Sequence, residues 1–296
     1  MEQESPEQEI KNFHDKHYKR LLLIPIILLV LSLIYIGIFY QTNNDFFNKD
    51  ISLTGGTSVT IYEKISASDL TASLESQLED FSTRRISDLI TKEQKAIIIE
   101  TKSDVGTTRT AIESFLGHEL NEENSSIEFT GSSLSESFYQ QLLIAILFAF
   151  LFMAIVVFLI FRTFVPSLAV IISAFADIIM TLAAINLLGM QMSSAGIVAI
   201  LMLIGYSVDT DILLTTRILK RTSGNLNKRI FGAFKTGLTM TLTSLLAILF
   251  ALFVVRSFSI VLTQIFTILS IGLVFDILNT WITNVSILKW YVEKKK

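Results

Sequence analysis

The 296-residue chain has no cysteine, only three prolines, three histidines and two tryptophans, and just 17% of its residues are charged. Without cysteine there is no disulfide, no thiolate chemistry and no Cys-ligated metal, and the redox compartment stays open. His14, His17 and His118 all lie outside the apolar runs, so no His-based metal site is expected. With 51% hydrophobic residues and a mean hydropathy of +0.57, the scarcity of charge excludes an ordinary soluble domain. A net charge of -3, with bases in short clusters beside apolar runs, excludes a nucleic-acid partner and points to a lipid bilayer.

The first 20 residues are polar and end in Lys19-Arg20 before an apolar run, 21–40. That run is long enough to cross a bilayer and lacks a small-residue cleavage site, so it reads as an uncleaved first span. Residues 41–138 are polar and of domain size. Thr57 to Tyr62 alternates like a strand, Ser66 to Asp69 caps a helical pattern, and Arg84–Ile90 and Ala96–Glu100 read as further strands. Thr107–Leu120 then reads as a helix and Ser126–Thr130 as a closing strand. The order βαββαβ predicts a ferredoxin-like α+β domain. Apolar runs resume within 139–288, at 139–161, 165–188, 193–216, 236–255 and 259–288, followed by a tail, 289–296. The expectation is therefore six transmembrane helices with one α+β domain between the first two. Outside that domain, fifteen bases fall on one side of the membrane and only Arg256 on the other. The positive-inside rule then predicts a multi-pass cell-membrane protein with both termini cytoplasmic and residues 41–138 extracytoplasmic.

Four carboxylates fall inside spans: Asp177 in the third, Asp209 and Asp211 in the fourth, and Asp276 in the sixth. An acid within a membrane is a functional candidate by default, because burying it costs roughly 2.5–3.5 kcal/mol even on insertion scales. Ser173, Asp177 and Thr181 share one helical face, as do Asp276, Asn279, Thr280 and Thr283, and in the fifth span Thr236, Thr239 and Thr243. These stripes predict a polar core among spans three to six. Gly205, with Tyr206 and Ser207 beside it, offers close helix approach one turn before Asp209. Asp209 and Asp211 lie about 200° apart around a helix, so only one can face the core. Arg217 is placed to reach Asp211 more readily than Asp209, which favours Asp209 as the isolated acid. No Lys or Arg lies mid-span to neutralise these groups, and an uncompensated carboxylate suits a proton relay. All four are candidates, with Asp209 first. There is no Ser/His/Asp set, and Thr54-Gly55-Gly56-Thr57 has neither a following Lys nor an opening helix. An enzyme, a bound metal and a cofactor are not expected.

Asp50-Ile51-Ser52-Leu53-Thr54-Gly55-Gly56-Thr57 and Gly205-Tyr206-Ser207-Val208-Asp209-Thr210-Asp211 with Arg217 resemble signatures of the SecD/SecF protein-export family. Lys235 to Thr241 and Ile271 to Trp281 resemble the fifth and sixth spans of its archaeal SecF branch. The resemblance runs over nearly the whole chain from the first span onward. It implies the resistance-nodulation-division superfamily, a SecD-like partner, work at the SecYE channel on exported polypeptide, and use of the proton gradient. It also marks Gly55, Gly56 and Thr57 as the external-domain signature. Bacterial SecF members usually carry the fourth-span acid where this chain has Thr210, so that Asp209 matches the SecD version, and a fifth-span Arg is replaced by Thr239. Two other roles are compatible with this architecture: a structural subunit stabilising SecD, or half of a proton-coupled small-molecule exporter.

Overall fold

The computed structural model describes residues 18–87, 91, 93–220, 225–257 and 259–295. Most of the expected N-terminal tail and positions 88–90 of the expected second strand lie outside that set. Strands β1 (Gly56–Ile61), β2 (Ser82–Ser87), β3 (Gln94–Thr101) and β4 (Ser125–Thr130) form one antiparallel sheet in the order β2-β3-β1-β4. Helices Ala67–Leu74 and Val105–Leu116 complete the βαββαβ sequence. Alternate residues Val59, Ile61, Ile97 and Ile99 meet Leu70, Leu74 and Ile112 in a single buried cluster. The two-residue period of the strands thus presents one apolar face to the helices.

Helix Val105–Leu116 begins at Asp104, whose carboxylate accepts the Gly106 and Thr107 amides at 2.8 and 3.1 Å. It ends at Gly117 with φ 76°, the left-handed stop that favours glycine. The Thr107 hydroxyl, together with the Thr107 and Gly106 amides, holds the Asp104 carboxyl below its ordinary value. Its stabilising contribution is complete above the ordinary carboxylate value and is lost as pH falls through the lowered one. Melting of the full chain between about pH 2 and 5 should therefore depend less on pH in Asp104→Asn than in the wild type. Equal slopes would remove this role.

Among the described residues, six helices are long and apolar enough to cross a membrane. The first is Leu23–Asn43, the second Ser132–Phe161, the third Phe164–Leu187, the fourth Ser194–Leu219 and the fifth Leu226–Val255. The sixth runs as an α-helix, Ile260–Leu278, through a π-helical segment, Asn279–Asn284, into Val285–Lys294. In spans three and four 61% and 50% of the apolar window is buried within the chain, against 6% in span two. Spans three and four are therefore the centre of the bundle, and the side chains of span two are left to lipid or to another chain. The cores are packed from Ile185, Ile197, Ile200, Leu203, Ile268, Leu269 and Leu273 in one cluster, and Leu214, Ala233, Trp281 and Leu288 in another.

Candidate functional site

Spans three, four and six each contribute one fully buried carboxylate: Asp177, Asp211 and Asp276, all 0% exposed. Asp177 accepts the Ser207 hydroxyl of span four at 2.6 Å and the Asn279 amide of span six at 2.7 Å. Asp211 accepts the Asn284 amide at 2.7 Å and the Thr280 hydroxyl at 2.9 Å. The Thr280 oxygen also lies 3.2 Å from Asp276 Oδ1, so one hydroxyl stands between two acids. Thr283 donates to Asn279 Oδ1 at 3.3 Å, which turns that amide toward Asp177. All these donors are hydroxyls or amides, with no Lys or Arg among them.

The sequence is built to place them there. The π-helical turn widens the helix by one residue, so Asn279, Thr280, Thr283 and Asn284 all become buried. Thr280 and Asn284, four residues apart, both reach the same Asp211 oxygen. Beside it Trp281 packs edge-on against Phe234, centroids 5.1 Å apart, and over Gly237, where an added Cβ would sit 2.5 Å from the indole. Asp211 Oδ2, Asp276 Oδ2, the hydroxyls of Ser173 and Thr215, and Asn284 Oδ1 are buried without a protein partner. Each such orphan costs about 1–3 kcal/mol. The cluster brings three carboxyls together across three spans with hydroxyls and amides between them. Among the described residues, no group of three or more His or carboxylate side chains is disposed to hold a metal ion.

The structure corrects several expectations. Asp211, not Asp209, faces the core: the buried phase of span four runs through Ile200, Leu203, Ser207, Asp211 and Leu214. Asp209 lies on the opposite, uncovered stripe with Val198, Met202, Gly205 and Tyr206. Gly205 has nothing within 4 Å of where a Cβ would stand, so it mediates no close approach inside this chain. That role falls to Gly237 against Trp281 and to Gly272 against Leu203. Arg217 donates to the Gly232 carbonyl of span five instead of reaching Asp211. The fifth-span stripe does not join the polar core, because Thr239 and Thr243 are exposed and donate to the Lys235 and Thr239 carbonyls at 2.7 Å each. A threonine that bonds its own helix needs no polar neighbour. Thr241 faces inward in its place, 3.5 Å from Thr210. Ser207, Asn279 and Thr280 lie in the cluster, and Asn284 is a member that sequence periodicity missed.

In the external domain Gly55 and Gly56 adopt φ 81° and 142°, and Thr57 is buried with its hydroxyl on the Ser103 carbonyl at 2.7 Å.

Residues 111–294 match the family model for the C-terminal part of the protein export membrane proteins SecD and SecF, and Asp177, Asp211 and Asp276 lie in that stretch. The chain is 43% identical over 286 residues to the protein-export membrane protein SecF of Methanocaldococcus jannaschii, covering 94% of this chain and 97% of that one. The chain belongs to the SecD/SecF family. Further SecF relatives come from Methanothermobacter thermautotrophicus, 39% identical with 94% of each chain covered, and Pyrococcus furiosus, 32% identical with 98% and 96% covered. The SecD/SecF architecture recurs in the crystal structure of SecDF, a translocon-associated membrane protein from Thermus thermophilus, at TM-score 0.73 and 19% identity. The match takes in 94% of this chain but 38% of that longer one, and at this identity it speaks for the fold. The SecF relatives are named for protein export, a role that is not enzymatic.

Proposed function

We propose that this chain is an accessory subunit of the Sec protein-translocation machinery, working with a SecD-like partner at the SecYE channel and using the proton gradient to promote export. The observation that carries the reading is the set of three fully buried acids on three different spans, held by hydroxyls and amides. Any change of charge there alters the packing between helices, because these acids are held across spans by neutral hydroxyls and amides. The fifteen-to-one distribution of bases supports cytoplasmic termini, with the domain within 41–138 outside, where it would meet emerging polypeptide.

A SecD-like partner is supported by the uncovered stripe of span four. Met202 and Tyr206 are 41% and 38% exposed beside Gly205 and Asp209, and a carboxylate left in lipid would cost roughly 2.5–3.5 kcal/mol. A second helix laid over Gly205 would cover Asp209 and make it the fourth acid of the relay, contributed at the joint between the two halves.

The test is completion of preprotein translocation into inverted vesicles, with and without an imposed proton gradient, at equal levels of partner and channel. Vesicles containing this chain should show a gradient-dependent gain that vesicles lacking it do not. The same gain in both would reduce the chain to a scaffold for its partner.

A further inference from the structure

The signature Asp50–Thr57 plays no part in the buried acid cluster, and its two glycines account for only half of it. The other half is in contact with the membrane bundle. Asn48 and Asp50 pair with Met192 in the loop between spans three and four: the Met192 amide donates to the Asn48 carbonyl at 2.6 Å, and the Asp50 amide to the Met192 carbonyl at 3.1 Å. The Asp50 carboxylate accepts the Ser52 amide at 2.8 Å and its hydroxyl at 2.6 Å. That oriented hydroxyl in turn accepts the Ser194 amide, the first residue of span four, at 2.9 Å.

Span six arrives at the same loop. Gln264, 6% exposed, donates to the Gln191 carbonyl at 2.5 Å and accepts the Ser193 amide at 3.1 Å. The Gln191 side chain accepts Arg84 Nη2 of β2 at 3.1 Å, while Arg84 also pairs with Glu100 of β3 at 2.6 Å. Gly196 lets these groups close up, since a Cβ there would stand 2.8 Å from Met192 and 3.0 Å from Gln264. Leu53 of the signature is 1% exposed and packs in the same cluster as Met192, Ile197 and Ile268 of the bundle. The core of the membrane bundle therefore continues without a break into the signature turn.

We infer that the signature is a mechanical joint, with Asp50, Ser52 and Gln264 as positioning residues that fix the external domain to the outer ends of spans four and six. Those are two of the three helices that carry the buried acids. Asp211 lies about 27 Å along span four from Ser193, within reach of a rigid helix but beyond direct contact. A shift in packing around Asp211 and Asp276 moves the helix ends, and the joint, made of backbone pairing and buried amides, turns that movement into a reorientation of the external domain. What the joint transmits rests on the proton-coupled reading above; the fixing of the domain does not.

The experiment uses the full chain with its SecD-like partner in bilayer discs, with spin labels at Glu122→Cys on the external domain and Lys220→Cys at the far end of span four. The chain has no other cysteine. With the joint intact the inter-label distance distribution is narrow. Ser52→Ala and Gln264→Leu, each checked for helix content and partner retention, should broaden it at least about two-fold, and Ser52→Thr should restore the narrow form. Unchanged width in both folded variants overturns the joint. In a second arm Asp276→Asn should displace the mean distance in the wild-type background and not in Gln264→Leu. A displacement that persists in Gln264→Leu also overturns the joint. Broadening in the first arm without any displacement by Asp276→Asn would retain the joint and remove the proton-coupled reading.

Discussion

Asp211→Asn is expected to abolish the gradient-dependent part of translocation, bringing the ratio of yields with and without a proton gradient to about one, while the chain still folds and retains its partner. Asparagine has the shape of aspartate and keeps the Oδ1 that accepts the Thr280 and Asn284 donors. Its amide takes the place of Oδ2 at nearly the same volume, so packing changes little. What disappears, on the proposed reading, is a titratable carboxyl next to Asp276, to which Thr280 bridges it. Replacement by a larger apolar residue would confuse this result, because it would strand the Asn284 amide and itself cost about 1–3 kcal/mol. The measurement is the vesicle assay at matched chain levels. A full gradient-dependent gain in Asp211→Asn would mean that no proton passes through this acid.

The second large effect is structural. Gly56→Val should unfold the start of the sheet, because φ 142° is a conformation that side-chain-bearing residues rarely adopt. An added Cβ would stand 2.3 Å from the Thr101 carbonyl oxygen and 3.2 Å from the Lys102 Cα. Both obstacles are backbone, and the Thr101 carbonyl cannot move without disturbing the register in which Thr57 faces Thr101 and Val59 faces Ile99. Strain and overpacking together amount to on the order of 3 kcal/mol or more. Amide hydrogen exchange at Ile97 and Ile99 in the full chain should then accelerate by at least about 100-fold. Because Gly55 meets the Ser132 backbone at the head of span two, the disturbance should spread to that helix end as well. Unaltered protection at Ile97 and Ile99 would show that the turn relaxes without cost.

Much of the molecule was legible in its residues. The six apolar helices followed from run length and scarcity of charge, and the βαββαβ unit from two-residue and four-residue periods that bury Val59, Ile61, Leu70 and Leu74 together. Asp177 and Asp276 could be placed on inward faces because Ser173 and Thr181, or Asn279 and Thr280, recur beside them at helical spacing. These are local properties: a helix or strand declares its buried face when its two sides differ in polarity.

Span four has no such contrast. Ile200, Leu203 and Leu214 line one side and Val198, Met202 and Tyr206 the other, so neither periodicity nor hydropathy distinguishes Asp209 from Asp211. The choice is made by what packs on each side: span six supplies Asn284 and Thr280 to Asp211, while Asp209 is left to the surface. Asn284 continues the stripe of Asp276 and Thr280 at four-residue spacing, one step beyond Thr283 where the stripe was taken to end, and Thr239 and Thr243 misled because their hydroxyls are satisfied by their own helix. The sequence by itself determined which segments cross the membrane, the order of the sheet domain and the presence of intramembrane acids, since each depends on patterns within one segment. Only the tertiary structure decided which acids meet, which glycines are crowded and where the external signature is anchored, because each of those depends on atoms brought together from distant parts of the chain.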